Sequence, residues 1–259
     1  EPPPLDEMGF SQRNLTALTG LINQPYGLIL CVGPTGSGKT TTLHGMLAAI
    51  NEVNRKIWTA EDPVEITQPG LRQVQVHPQI GFTFAVAMRA FLRADPDVIM
   101  VGEMRDEETA STGVEASLTG HLVFSTLHTN SAPETVTRLV DMGLEPFSFS
   151  DALLGVLAQR LARRLCTDCR ERYSATATEL EEFCRYLGRQ EVDRLTDSGV
   201  LKIWQAPGRS KRDNTGYRGR VALHELLINN DTIREAIQRQ SGTAEIRELS
   251  ISGGMTTLL

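Results

Sequence analysis

Aromatic side chains are scarce in this 259-residue chain, at 5% of the total, which leaves few rings on which nucleobases could stack. Cations are outnumbered too, with 26 Lys and Arg against 32 Asp and Glu. A general nucleic-acid binder needs clustered cations to displace the counterions of phosphates, so the charge balance argues against that class. Four cysteines, Cys31, Cys166, Cys169 and Cys184, are too few and too unevenly placed for a disulfide framework, and the expected compartment is the reducing cytoplasm. Apolar runs such as GLILCVG and LLGVLA fall far short of the roughly 20 residues that cross a bilayer, so no direct membrane insertion is expected. The opening EPPPLDEMGF has neither the basic start nor the apolar stretch of a signal peptide. With 40% hydrophobic residues and 22 glycines the chain has the balance of a globular protein long enough to bury a large core.

Short apolar runs alternate with segments of helical period. GLILCVG (27–33), IWTA (57–60), DVIMVG (97–102) and HLVFSTL (121–127) read as buried strands, and LRQVQV (71–76), which alternates polar and apolar, reads as a short edge strand. Helices are expected from Ser11, with Leu15, Leu18 and Ile22 on one face, and over 39–53, 83–93, 106–117 and 231–250, the last capped by Asp231. Strands separated by helices require a parallel sheet with both faces covered, an α/β class. Charge is uneven. Residues 160–220 hold 14 of the bases and 9 of the acids, and they carry CTDC and a Gly/Arg/Lys-rich stretch. The expected organisation is a core over 1–165, a small loop-rich subdomain over 166–220, and a strand with helices over 221–259 that packs on the core.

Gly33-Pro-Thr-Gly-Ser-Gly38-Lys39-Thr40 fits G-x-x-x-x-G-K-[ST] and lies between an expected buried strand and an expected helix. Glycines there let backbone amides turn inward around phosphates, and the helix N-terminus adds its positive end. The predicted cradle comprises Gly33, Pro34, Thr35, Gly36, Ser37, Gly38, Lys39, Thr40 and Thr41, with Lys39 on the terminal phosphates and the Thr40 hydroxyl on Mg²⁺.

Hydrolysis of a nucleoside triphosphate also needs an acid near Mg²⁺ and a group that orients the attacking water. Glu103 follows DVIMVG at the strand's C-terminal end, where open α/β sheets place their ligands, whereas Asp97 lies at the far end, about 20 Å away at ~3.3 Å per residue. A second acidic cluster, Glu61-Asp62-Pro63-Val64-Glu65, follows IWTA in the same way. His121 and His128 bracket HLVFSTL. His128 falls at the C-terminal end beside Thr126 and is the functional candidate, and His121 is read as orienting a loop.

GPTGSGKTTTL, TAEDPVE, LRADPDVIMVGEMRD and TGHLVFSTLHTNSA resemble, in order, the Walker A, Asp box, Walker B and His box of bacterial type II secretion and type IV pilus assembly ATPases. The resemblance extends through QRLARRLCTDC, TGYRGRVALHELL and GGMTTL, so it covers nearly the whole chain. It implies a RecA-like P-loop NTPase core that uses ATP and Mg²⁺ and works as a homo-hexamer. Such a motor is cytoplasmic and peripheral to the inner membrane, acting with a platform protein and a recruiting protein of a secretion or pilus machine. Pilus-retraction, DNA-uptake and RecA-type nucleic-acid motors are the alternatives. Carried over, Lys39 and Thr40 bind phosphate and Mg²⁺, Glu103 is the Walker B acid that assists the metal, Glu61 serves the attacking water, and His128 lies near the γ-phosphate. The division of metal and base duties between the two glutamates stays open.

Three departures from the resembled pattern shape the expectations. The chain opens about 30 residues before the phosphate loop, without the half that supplies arginine fingers in full-length members, so weak hydrolysis is expected of it. It ends at Leu259, where members continue with another helix. Secretion-type members pair a first CxxC with a second to hold zinc. Here Cys166 and Cys169 are matched by Arg209 and Arg212, which predicts a metal-free subdomain with an ionic contact from Arg212 to Asp168. Among the arginines, Arg105 and Arg93 are the foremost candidates for nucleotide contact.

Overall fold

The computed structural model describes residues 2–196, 200–207 and 215–258. Its strands are β1 (Gly27–Val32), β2 (Ile57–Glu61), β3 (Arg72–Gln75), β4 (Val98–Val101), β5 (Leu122–Leu127), β6 (Leu153–Leu165), β7 (Glu171–Ser174), β8 (Lys202–Gln205) and β9 (Tyr217–Ile228). Its helices are α1 (Gln12–Ile22), α2 (Lys39–Ile50), α3 (Phe84–Leu92), α4 (Glu107–Leu118), α5 (Ala132–Asp141), α6 (Pro146–Ala152), α7 (Ala177–Leu187), α8 (Arg189–Leu195), α9 (Asp231–Gln238) and α10 (Thr243–Ser252).

Seven strands form one sheet in the order β3-β2-β4-β5-β1-β6-β9, and β1 pairs in parallel with both β5 and β6. The alternating side chains of a strand explain why helices cover both faces. Leu28, Leu30 and Val32 of β1 join Ile99, Val101 and Val123 in one apolar cluster with Met88 and Phe91 of α3 and Val114 of α4. The intervening Ile29 and Cys31 join Val98, Met100, Leu122 and Phe124 in a second cluster with Leu18 and Ile22 of α1 and Leu43 and Leu47 of α2. Each large side chain sealed in this way contributes about 1.5–3 kcal/mol. A one-residue slip of β1 would exchange the two sets, which fixes its register.

Local chemistry sets the ends of the helices. Ser11 caps α1 through the Asn14 amide, Thr83 caps α3, Asp106 caps α4 and Ser131 caps α5. β3 occupies the sheet edge, where the polar–apolar alternation of 71–76 placed it. Three expectations need correction. α2 stops at Ile50 because Asn51 leaves helical geometry. The expected 231–250 helix is two helices, broken where Gln240 adopts φ 55°, and the cap of the first is Asn230, whose side chain accepts from the Ile233 amide. Beyond these, LLGVLAQRLARRL, whose continuous apolar start gives no period and for which no element is expected from sequence, forms the long strand β6.

The chain divides into two compact units. One comprises the residues up to Leu161 together with Ala222–Leu258, and the other comprises Ala162–Val221. In the first, α10 packs on α5 and α9, and α9 packs on α6. The second holds the antiparallel pair β7–β8 and helices α7 and α8. Its buried apolar side chains, among the described residues, are Val192 and Leu201. Polar contacts supplement that small core. Thr176 and Glu179 form a reciprocal capping box, the Tyr173 hydroxyl donates to Glu179 at 2.6 Å, and the Arg170 guanidinium stacks 4.2 Å from the Trp204 ring centroid.

Cys166 and Cys169 lie on a turn closed by the Cys169 and Arg170 amides, which donate to the Cys166 carbonyl at 3.3 and 2.9 Å. A hydrogen bond from Cys169 holds the Cys166 thiol below its usual range. Arg209 and Arg212 lie outside the described residues. The described ion-pair partner of Asp168 is Arg218, at 3.8 Å on an exposed surface where such pairs contribute little. Among the described residues, no group of three or more His, Cys, Asp or Glu side chains is arranged to hold a metal ion.

Candidate nucleotide site

The loop between β1 and α2 is shaped by glycine at positions where no other residue fits. Gly33 has φ 148°, and a Cβ there would lie 2.3 Å from the Gln159 carbonyl oxygen. Gly38 caps α2 at φ 88°, a left-handed conformation that costs other residues energy. The amides of Lys39, Thr40 and Thr41 open the helix and have no intrahelical acceptor, so they are free to face an anion. Lys39 Nζ donates to the carbonyls of Gly33 at 2.7 Å and Pro34 at 3.0 Å, which lays the ammonium across the loop. Burial pushes Lys39 below the ordinary lysine range, against the opposing pulls of Cys31 and, after it, Glu103. Pro34, Thr35 and Gly36 are exposed at the rim. Ser37 Oγ is buried with no partner among the described residues, and the Thr40 side chain is half-buried. A polyphosphate with its cation fits this donor set, because it would satisfy the helix amides, the ammonium and both hydroxyls.

Glu103 follows β4 on a turn that Thr126 of β5 clamps from both sides. The Thr126 hydroxyl donates to the Gly102 carbonyl at 2.6 Å, and the Met104 amide donates to the Thr126 carbonyl at 3.0 Å. The Glu103 side chain is 13% exposed and pairs with Arg105 and with His128 Nε2, the latter at 3.6 Å. The hydrogen bond to Glu103 raises Arg105 above its usual range, with a smaller contribution from Asp62. Glu103, His128 and Arg105 therefore form one cluster. Arg93 is exposed at the C-terminus of α3 and precedes β4, whereas Glu103 follows the C-terminal end of that strand. His121 bonds the Ala116 carbonyl at 2.9 Å in the turn after α4, and Asp97 accepts from the Lys56 amide at 2.6 Å.

Glu61 is placed differently. It is 3% exposed, and its carboxylate accepts from Thr59 at 2.7 Å, from Gln73 at 3.0 Å and from His44 at 3.1 Å. Burial alone would raise its pKa, but the bonds from His44, Gln73 and Thr59 outweigh it and hold the carboxyl below the usual range. No hydrogen bond or ion pair among the described residues joins Glu61 to Glu103, His128 or Lys39. The next residue, Asp62, is exposed.

Sequence reasoning missed Gln159 of β6. Buried to 2% exposure, it donates from Nε2 to the Ser37 carbonyl at 2.7 Å and accepts from the Thr42 hydroxyl at 2.7 Å. It thereby ties the loop to the first turn of α2. The available signal was a lone amide ending the apolar run LLGVLA, since a polar side chain in a buried strand must find partners. Gln159→Met keeps the volume and removes both bonds. At about 0.5–1.5 kcal/mol each, the smaller end of the pair's contribution alone should weaken ATP binding by at least about fivefold. Titration with a fluorescent ATP analogue checks this, and an unchanged Kd would show that the loop holds its shape without the amide.

The family model described as Type II/IV secretion system protein matches residues 3–258. The chain belongs to this family. Among curated members, it is 47% identical over 254 residues to the type II secretion system protein HxcR of Pseudomonas aeruginosa, covering 98% of this chain and 48% of that protein. It is 49% identical to the type II secretion system ATPase E of Vibrio cholerae, covering 92% and 45%, and 46% identical to the type IV pilus assembly ATPase PilB of Thermus thermophilus, covering 99% and 28%. The chain thus spans about half or less of the length of these relatives. Among solved structures, the pilus retraction motor PilT with bound ADP superposes with a TM-score of 0.67 at 32% identity, covering all of this chain and 61% of PilT. The Legionella pneumophila ATPase DotB gives 0.64 at 27%, covering 97% and 57%. The mostly parallel sheet and these neighbours give this family member a P-loop NTPase fold. Among the described residues, no helix is long and apolar enough to cross a membrane.

Proposed function

We propose that the chain binds ATP with Mg²⁺ at residues 33–41 and hydrolyses it to drive a type II secretion or type IV pilus assembly machine. The observation that carries this reading is a strand–loop–helix phosphate cradle after β1 and Glu103 after β4, both at the C-terminal ends of strands that flank β5 in parallel, with the Glu103 turn fixed by Thr126. Lys39 exchanges its two loop carbonyls for phosphate oxygens. Thr40 and Glu103 would hold Mg²⁺, which when bound would supply positive charge to the phosphates. His128 and Arg105 flank Glu103 where the terminal phosphate would lie, and Glu61 serves the attacking water. The PilT–ADP neighbour and the names of the curated relatives support the reading.

The working unit in this proposal is a cytoplasmic homo-hexamer held at the inner membrane by platform and recruiting proteins. A phosphate-release assay with MgATP, run with and without DNA or RNA, tests it. The proposal expects Mg²⁺-dependent release that nucleic acid leaves unchanged. Strong stimulation by DNA or RNA would favour a nucleic-acid motor instead.

A further inference from the structure

Around Glu61 the hydrogen bonds close into a ring in which every donor is determined. Gln68 Nε2 lies 3.0 Å from the His44 carbonyl oxygen, so the nitrogen end of that amide faces it. The same nitrogen lies 2.7 Å from His44 Nδ1, which must therefore be an acceptor. The remaining ring nitrogen, Nε2, then carries the proton and donates to Glu61 Oε2 at 3.1 Å. On the other side, the Gln68 amide N–H donates to Gln73 Oε1 at 2.8 Å, while Gln73 Nε2 donates to Glu61 Oε1 and to the Ile66 carbonyl at 2.7 Å. Thr59 completes the set at Oε1. His44 is fully buried on α2, and Gln68 is 6% exposed. The ring thus links the helix that opens at the phosphate loop to the ends of β2 and β3.

We infer that Gln68 and His44 are positioning residues for Glu61: Gln68 fixes His44 as the neutral Nε2–H tautomer, and that N–H holds Glu61 ionised in one rotamer. This rests on the reading of Glu61 as the acid that serves the attacking water. Burial and full use of Oε1 leave Oε2 as the oxygen with spare acceptor capacity, and His44 occupies one of its sites. Water oriented by Glu61 would take the other. A side chain at 44 without a donor would leave Oε2 unsatisfied and free to turn or to take up a proton.

Two measurements test the inference. In the chain labelled with ¹⁵N-histidine, with His44 assigned by its loss in His44→Gln, the ring nitrogens report the tautomer directly. A pyrrole-type Nε2 and a pyridine-type Nδ1 are expected, and the reverse assignment or a doubly protonated ring would overturn the inference. Separately, His44→Leu should lower kcat for ATP about 10- to 100-fold with nucleotide Kd within about twofold, and His44→Gln, which keeps an amide donor, should recover most of the loss. Parallel loss of kcat and affinity, or wild-type kcat in His44→Leu, would reduce the ring to a structural role and overturn the positioning claim. Wild-type turnover in Glu61→Gln would instead refute the reading of Glu61, whatever tautomer is found, so the two failures are distinguishable.

Discussion

Glu103→Gln should reduce ATP turnover by about 10²–10⁴-fold while ATP binding persists. The substitution preserves the size of the side chain and the turn that carries it, because Thr126 grips the flanking backbone at Gly102 and Met104 rather than the carboxylate. What changes is charge. Glu103 pairs with Arg105 and faces His128 across 3.6 Å, and its negative charge supports the protonated state of Lys39. An amide offers weaker acceptor strength to a divalent cation and cannot take a proton. The expected signature is a drop in kcat with little change in Kd. A comparable loss of affinity would mean that Glu103 chiefly shapes the pocket.

Lys39→Ala should have the largest effect on binding. Its ammonium makes two charge-assisted bonds across the loop, at 2.7 and 3.0 Å, and phosphate oxygens would replace the carbonyl acceptors. A bond to a charged group contributes about 1.5–3 kcal/mol, so Kd for ATP should rise roughly 10- to 150-fold. Folding should survive, because Lys39 sits at the first position of α2 and the buried apolar face of that helix begins at Leu43. Equilibrium titration of wild type and variant measures the first effect, and circular dichroism checks the second. Retained affinity with intact folding would remove Lys39 from the phosphate site.

The legible parts of the sequence were those governed by local rules. The strands 27–32, 57–61 and 122–127 were visible as apolar runs, and the phosphate loop as glycines between a run and a helical period, because strand burial and tight turns are written in adjacent residues. Glu103 and His128 were placed at strand ends by topology alone, and the structure brings them together. The setting of Glu61 was not legible. Its environment depends on His44, Gln68 and Gln73, which come from a helix, a loop and an edge strand whose convergence no local pattern encodes. Gln159 was hidden for the same reason, since its two partners lie 122 and 117 residues earlier in the chain. The break at Gln240 escaped because the apolar period of Ile233 and Ile237 resumes at Ile246, so the pattern reads through a turn that the backbone does not.

The most direct test is a crystal structure of the chain with Mg²⁺ and a non-hydrolysable ATP analogue. The account predicts phosphate oxygens on the amides of residues 36–41, Lys39 Nζ released from the Gly33 and Pro34 carbonyls onto those oxygens, and Mg²⁺ between Thr40 and Glu103. Nucleotide bound elsewhere, or a Lys39 ammonium still folded on its own loop with the triphosphate in place, would contradict it.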